Sequence, residues 1–403
     1  MSEKREIIFL IKVMNGGGAE RVISVLSKGF VEAGHEVSLI LTHQSLQEAK
    51  LQFVHEKVKV VSLDDQLLIL EKNSFGANLK MLQGRLEGKL SRLFFKKESD
   101  KGLIDKYWAR NFAKVEWLRK YFKQHKSATL IAFLYDSIFL TLLANQSVGN
   151  PLIISERGDP EQSMGSKTTM AFLNSKFKEA DGIVFQSPDV RDWYHENMNV
   201  DGKVIFNPIK EDLPKPFRGA RQKKIVNFCR ISEQKNLELL VNAYAKLYRE
   251  YPDYELYIYG DPVGNGAEGY LEYIQNIIRE KTLSEKIHLL PGIRDIHDEI
   301  RDYAMFVSSS DFEGMSNSML EAMAIGMPVV CTDCPAGGAR AVIQDHENGL
   351  LVPVKNEGAL YLAMKEIIEN LDLAAKLSIK AVKIRDAQSL DNIMKQWMEL
   401  IND

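Results

Sequence analysis

Short apolar runs rich in β-branched residues recur along this chain, and a stretch with helical spacing separates each from the next. That alternation constrains the fold more than any other feature. Runs at 7–11, 37–41, 130–133, 152–155 and 182–185 read as strands in the first half. A second set reads at 225–228, 256–259, 287–290, 305–308 and 329–331. Alternation of this kind predicts parallel strands covered by helices on both faces. Between the first two runs, Val22, Val25, Leu26 and Phe30 share one face of a helix over 19–32, and Gly34 stands where that helix would stop. Ligands in such folds bind beyond the carboxyl ends of the strands.

A chain of 403 residues suits more than one domain. The boundary reads at 207–224, which carries Pro208, Pro214, Pro216 and Gly219. A strand-like 203–206 precedes it and a fresh alternation follows. The expectation is two doubly wound α/β domains, 1–207 and 208–385, and a terminal helix over 386–403. In that last segment Leu390, Ile393, Met394, Trp397, Leu400 and Ile401 recur at helical spacing.

Charge and cysteine content exclude several classes. Charged residues make up 27% and hydrophobic ones 45%, so the chain can bury a core and is no disordered polyelectrolyte. A net charge of −3 argues against a polycation made for nucleic acid. The balance is uneven: residues 1–210 hold 30 Lys and Arg against 25 Asp and Glu, while the remainder is net acidic. The first half therefore suits an anionic partner better. Cys331 and Cys334 form a C-x-x-C, but it closes an apolar run ahead of Pro335 instead of opening a helix, and no further ligands stand at zinc spacing. No run is long enough for a signal peptide or a membrane span, so a cytoplasmic protein is expected.

The most informative stretch is SSSDFEGMSNSMLEAMAIGMP at 308–328. An apolar strand ends at its start. Ser316, Asn317 and Ser318 offer N-cap chemistry for a helix carrying Met319, Leu320 and Met323, and Gly326 would stop it. Glu313 lies in the loop before that helix and Glu321 about a turn and a half inside it. A helix N-terminus between two carboxylates suits a phosphate flanked by sugar hydroxyls. Taken alone, the two glutamates read better as favourable partners of the helix dipole.

Their context resembles the E-x7-E signature of retaining glycosyltransferases, notably glycosyltransferase family 4, of the two-domain GT-B type. The signature EGMSNSMLE at 313–321 runs on into AMAIGMPVV at 322–330. Three more segments resemble the family in the same order: NGGGAER at 15–21 after the first strand, FCRISEQKN at 228–236, and DHENGLLV at 345–352. Cys229 stands where the family usually has glycine.

The resemblance implies a GT-B fold, two Rossmann-like domains facing across a cleft with the C-terminal helix crossing back to the first. It implies that Arg230 and Lys235 hold the diphosphate of a nucleotide sugar and, with Glu313, form the catalytic set. Glu313 would touch the transferred sugar and Glu321 the ribose hydroxyls. Gly314, Met315, Ser316 and Asn317 would complete the donor cradle, and Gly17 and Gly18 would border the donor diphosphate. It further implies retention of anomeric configuration without a protein nucleophile. No D-x-D motif is found, so no metal and no cofactor is expected, and a UDP-sugar is the expected donor substrate.

On the acceptor side, Asp136, Glu156 and Arg157 follow strand ends and are the candidates. The expected acceptor is a saccharide, lipid-linked, as in bacterial capsule, exopolysaccharide or lipid-linked oligosaccharide synthesis. Residues 80–126 hold fourteen basic residues against five acidic ones, interleaved with Phe94, Phe95, Tyr107, Trp108, Phe112, Trp117, Tyr121 and Phe122. That mixture suits an anionic membrane surface, although a core helix with a solvated basic face has the same pattern. Peripheral attachment to the inner face of the cell membrane is the expectation, with no nucleic-acid partner. A nucleotide-sugar epimerase of the same fold and a non-catalytic partner of another transferase are the alternatives. A dehydrogenase lacks its G-x-G-x-x-G fingerprint.

Overall fold

The computed structural model describes residues 4–73, 99–163, 166–264 and 266–402. The part of the basic segment over 80–98 lies outside them. Contacts divide the chain into two units, Met1–Phe206 with Ile393–Asp403, and Asn207–Asn392.

Among the described residues of the first unit, seven strands form one parallel sheet. They are β1 (Glu6–Ile11), β2 (Glu36–Leu41), β3 (Lys59–Ser62), β4 (Thr129–Phe133), β5 (Leu152–Ser155), β6 (Gly182–Phe185) and β7 (Lys203–Val204). Their order is β3-β2-β1-β4-β5-β6-β7. Ile7 to Ile11 are 0% exposed, because helices cover both faces of the sheet and leave no side of the pleat to water. Ile7 pairs with Val37 on one side and Thr129 on the other. The helix Gly18–Glu32 follows β1, and Gly34 takes the left-handed conformation, φ 92°, just beyond its end. Strand β7 is shorter than the run at 203–206, although the Ile205 N–H still donates to Phe185 O at 3.0 Å.

The second unit repeats the plan. Strands β8 (Gln222–Phe228), β9 (Glu255–Tyr259), β10 (Ile287–Leu290), β11 (Tyr303–Ser308), β12 (Val329–Asp333) and β13 (Leu350–Pro353) lie parallel in the order β10-β9-β8-β11-β12-β13. The DHENGLLV segment supplies β13. The proline-rich stretch packs on this unit: Ile209 N–H donates to Gln388 O at 2.9 Å, Phe217 N–H to Ile325 O at 3.1 Å, and Arg221 Nη1 to Tyr303 O at 2.9 Å.

The terminal helix is Leu390–Asn402. Residues 386–392 count with the second unit and the rest with the first. Trp397 is fully buried and stacks on Phe133 at 6.2 Å between centroids, and Arg5 Nη1 donates to Ile401 O at 2.9 Å. A helix with one wide apolar stripe needs such a surface to cover it.

In both sheets the winding reverses once, between β1 and β4 and between β8 and β11. At such a switch point two successive loops diverge from the strands' carboxyl ends and leave a crevice.

Candidate active site

The loop after β8 carries Arg230 and Lys235, and the loop after β11 carries Glu313. Adjacent strands make these loops neighbours, and a set of hydrogen bonds locks them together. Asp311 N–H donates to Gln234 O at 3.0 Å, Gln234 Nε2 to Phe312 O at 2.8 Å, and Ser309 Oγ to Lys235 O at 2.9 Å. Asn236 takes the left-handed conformation, φ 42°, caps the helix Leu237–Glu250 through Leu239 N–H, and donates Nδ2 to Asp311 Oδ1 at 2.7 Å. Asparagine tolerates that conformation better than most side chains, and its short amide reaches both partners.

Lys235 forms an ion pair with Glu313. Burial works against the ammonium charge, and the nearby Arg230 repels it. The Glu313 carboxylate outweighs both and holds Lys235 above the ordinary lysine value. Arg230 is exposed and makes no hydrogen bond or ion pair with the described residues. The cluster therefore presents one compensated cation and one uncompensated guanidinium. A guanidinium with open donors suits phosphate oxygens.

The helix Asn317–Ala324 starts at Ser316, whose side chain accepts from Met319 N–H at 3.3 Å. Gly326, at φ 75°, ends it. Among the described residues no backbone group bonds to the N–H of Gly314, Met315 or Ser316. These amides and the helix dipole favour an anion there. Gly338 packs so closely beneath Gly314 that a Cβ would stand 1.5 Å from its carbonyl oxygen. Asn207 Nδ2 donates to Asn317 Oδ1 at 2.8 Å and to Met315 O at 3.3 Å, steadying the loop from the other side. Glu321 is buried, and His297 Nε2 lies 3.0 Å from its Oε2.

Cys229 also lies here. Its carbonyl would stand 1.9 Å from a Cβ on Gly260, so the glycine is needed one strand away. Burial pushes its thiol up to about 11. Cys331 and Cys334 are free thiols, and Cys334 Sγ donates to Ser310 O at 3.2 Å. Burial pushes Cys334 up to about 12, so it stays a thiol that braces the β11 loop. Among the described residues no three His, Cys, Asp or Glu side chains gather as a metal site.

The first unit places its predicted residues differently. The amides of Asn15, Gly16 and Gly17 all donate to Glu20 Oε2, the last at 2.8 Å. In this conformation the glycine loop before Gly18 is filled by the chain's own carboxylate. Asp136 is half exposed and pairs with Lys12 at 2.9 Å. Glu156 and Arg157 do not stand in an open loop: they are 1% and 8% exposed. Glu156 Oε1 accepts from Gly158 N–H at 2.7 Å, and Arg157 Nε donates to Ser155 Oγ at 2.8 Å with its guanidinium 5.2 Å over Phe133. Burial pushes Glu156 up to about 7 and Arg157 down to about 9. In this conformation both lie beneath the sheet end, and Glu156 Oε2 has no hydrogen-bond partner among the described residues.

The second unit thus brings Arg230, Lys235, Glu313, Gly314, Met315, Ser316, Asn317 and Glu321 to one switch point. Sequence reading missed His297, Asn207, Asp311 and Gly338. Asp311 lies inside the 308–328 stretch but outside its E-x7-E spacing, the other three belong to no motif, and Asn207 opens a stretch that reads only as a boundary.

Two family models match the chain: Glycosyltransferase Family 4 over residues 16–213 and Glycosyl transferases group 1 over 209–384. A relative from Campylobacter jejuni is 24% identical, covering 98% of each chain. It is named GalNAc-alpha-(1->4)-GalNAc-alpha-(1->3)-diNAcBac-PP-undecaprenol alpha-1,4-N-acetyl-D-galactosaminyltransferase. A second from the same organism is 29% identical over 63% of this chain and 70% of its own length, and is an N-acetylgalactosamine-N,N'-diacetylbacillosaminyl-diphospho-undecaprenol 4-alpha-N-acetylgalactosaminyltransferase. Among solved structures, S. aureus TarM, a mutant in complex with fondaparinux, alpha-GlcNAc-glycerol and UDP, superposes with a TM-score of 0.77. It is 15% identical and covers 99% of this chain and 100% of its own. The fold is GT-B.

Proposed function

Because this chain belongs to glycosyltransferase family 4 and is a hexosyltransferase of GT-B fold, we propose that it moves a hexose or N-acetylhexosamine from a UDP-sugar to a lipid-linked saccharide, with retention, in bacterial surface glycan synthesis. The observation that carries this reading is the Arg230–Lys235–Glu313 cluster beside the open amides of 314–316. A nucleotide sugar needs a diphosphate site next to carboxylates that accept sugar hydroxyls, and this switch point offers both. The undecaprenol-linked substrates named for the two Campylobacter relatives, and the UDP bound by the TarM structure, support the choice of acceptor and nucleotide.

In this reading Arg230 takes the diphosphate first, and Lys235 turns from Glu313 towards it as negative charge builds on the departing UDP. Preorganised donors of this kind stabilise a leaving group more than they stabilise the ground state. Glu313, released from its lysine, accepts hydroxyl hydrogen bonds of the transferred sugar. The acceptor oxygen bonds to the anomeric carbon on the face that UDP leaves, and its proton passes to the departing phosphate oxygen. The basic pair stabilises the charge without a divalent metal. Asp136, half exposed in the first turn of the helix after β4, is the acceptor contact best placed to act. Glu156 and Arg157 support that strand end from below.

Among the described residues no helix is long and apolar enough to cross a membrane. We assign attachment at the inner face of the cell membrane to the basic side chains of segment 80–126, since its aromatics Tyr121 and Phe122 are buried and Tyr107 packs on Phe139 and Phe172. Neutralising Lys96, Lys97 and Lys101 should then abolish co-sedimentation with anionic vesicles.

The test of the donor site is a thermal-shift panel of UDP, GDP, UDP-glucose, UDP-galactose and their N-acetyl forms in EDTA. A ligand bound only by the native state raises the melting temperature. A rise with the UDP compounds is expected, largest with the true donor. No rise with any of them, in a protein that melts cooperatively, would sink the proposal.

A further inference from the structure

His297 belongs to no motif, yet the fold sets it against one of the two signature glutamates. It lies on the one-turn helix His297–Ile300 between β10 and β11. Its Nε2 is 3.0 Å from Glu321 Oε2, and the two side chains are 4% and 5% exposed. The turn that carries it is packed and bonded as well. Ile296 and Ile300 are buried next to it, and Glu299 on the same turn accepts from the Tyr259 hydroxyl. The imidazole meets Phe228, the last residue of β8, edge to face at 5.9 Å. Phe228 is followed at once by the loop that carries Arg230.

A buried carboxylate is costly unless hydrogen bonds satisfy it. An imidazole that donates Nε2–H satisfies one oxygen and fixes the plane of the group. Glu321 could hold its place in the helix Asn317–Ala324 without that contact, since backbone bonds set its Cα. What the contact adds is the orientation of the carboxylate.

We propose that His297 is a positioning residue for nucleoside recognition, orienting the Glu321 carboxylate through Nε2–H so that it accepts hydrogen bonds from the vicinal ribose hydroxyls of the donor. This rests on the reading of Glu321 as the ribose contact. It carries a consequence for selectivity. An acceptor held in one orientation loses the ribose hydrogen bonds when the hydroxyls are missing, and a site built to bond a hydroxyl discriminates against the analogue that lacks it.

The experiment is calorimetric titration of the full chain with UDP and with 2′,3′-dideoxy-UDP. The parent should prefer UDP by about tenfold or more. His297→Phe keeps the ring's shape and removes the donor. It should weaken UDP by about tenfold, leave dideoxy-UDP unchanged and so erase the preference. His297→Gln, whose amide can still donate, should recover part of it. Should His297→Phe fail to melt cooperatively, His297→Asn, too short to reach Glu321, carries the same expectation. A folded variant that keeps the parent's preference overturns the proposal, and so does one that weakens both ligands equally, because His297 would then only support the local fold. A parent that binds UDP with no preference overturns the ribose reading of Glu321 itself.

Discussion

The two sheets of this protein reverse their winding at the same point in the strand order, and the chain uses the two crevices in opposite ways. At the end of β5 the charges are internalised. Glu156 and Arg157 are buried, and the amides of the glycine loop are filled by Glu20. At the end of β8 and β11 the charges are left near the surface. Lys235 and Glu313 pair with partial exposure, Arg230 pairs with nothing described, and the amides of 314–316 are open. One crevice has drawn its charged groups beneath the surface, and the other has kept them within reach of a ligand. The topology allows both, so the function lies in the loops. The same amino acids, an arginine and a glutamate after a strand, are buried in one unit and stand at or near the surface in the other.

Four substitutions sharpen or break this contrast. The largest effect expected is on stability in the first unit. Arg157→Met removes the guanidinium's bonds to Ser155 Oγ and Ile205 O, which should cost about 3 kcal/mol and lower the melting temperature by roughly 10 °C. Calorimetric scans check it, and a change below two degrees would mean that this arginine is no brace.

Next comes turnover in the second unit. Arg230→Ala should lower kcat by roughly a hundred- to a thousandfold with little change in melting temperature, the reverse of Arg157→Met. Steady-state transfer from a UDP-sugar measures it. A melting loss as large as that of Arg157→Met would erase the distinction.

A smaller effect follows from acidity. Glu156 is held near 7 when folded, well above the ordinary glutamate value. The folded chain therefore binds a proton that the unfolded chain has released, and this group loses stability as pH rises from about 4.5 to 7. Glu156→Gln should melt closer to its parent at pH 5 and gain on it by pH 8. Equal differences at the two values would argue that the carboxyl is ionised throughout.

The smallest effect belongs to the exposed pair. Asp136→Asn gives up an ion pair with Lys12 that contributes under about 1 kcal/mol to stability. If Asp136 meets the acceptor, the KM for acceptor should rise while that for donor stays constant. An unchanged acceptor KM would leave the first crevice with no identified contact.

Much of this was legible because buried parallel strands must be apolar on both faces, and the runs at 7–11, 130–133 and 225–228 announce themselves for that reason. Ser316 and Gly326 bracket the helix Asn317–Ala324 through capping and left-handed backbone, both local effects. Strand β3, with Lys59 and Ser62 at its ends, has too few apolar residues to stand out. The depth of Glu156 and Arg157 was not legible, because a charged residue after a strand looks alike whether the next helix covers it or not. Glu20 showed the same limit. The glycines read as room for a ligand, whereas the carboxylate three positions on from Gly17 folds back to fill it. His297 could be found only by tertiary packing, which brings it across from another loop.

The division of the chain has a consequence for its birth on the ribosome. Trp397 closes over Phe133, yet the whole of Asn207–Asn392 is synthesised between them. At roughly 5–20 residues per second, the first unit waits on the order of 10–40 s with that part of its core uncovered. The second unit is contiguous and can mature first, although it is made later. Nascent chains stalled before residue 393 should therefore expose an aromatic surface that chaperones recognise, and release of the final turns should end that exposure in one step.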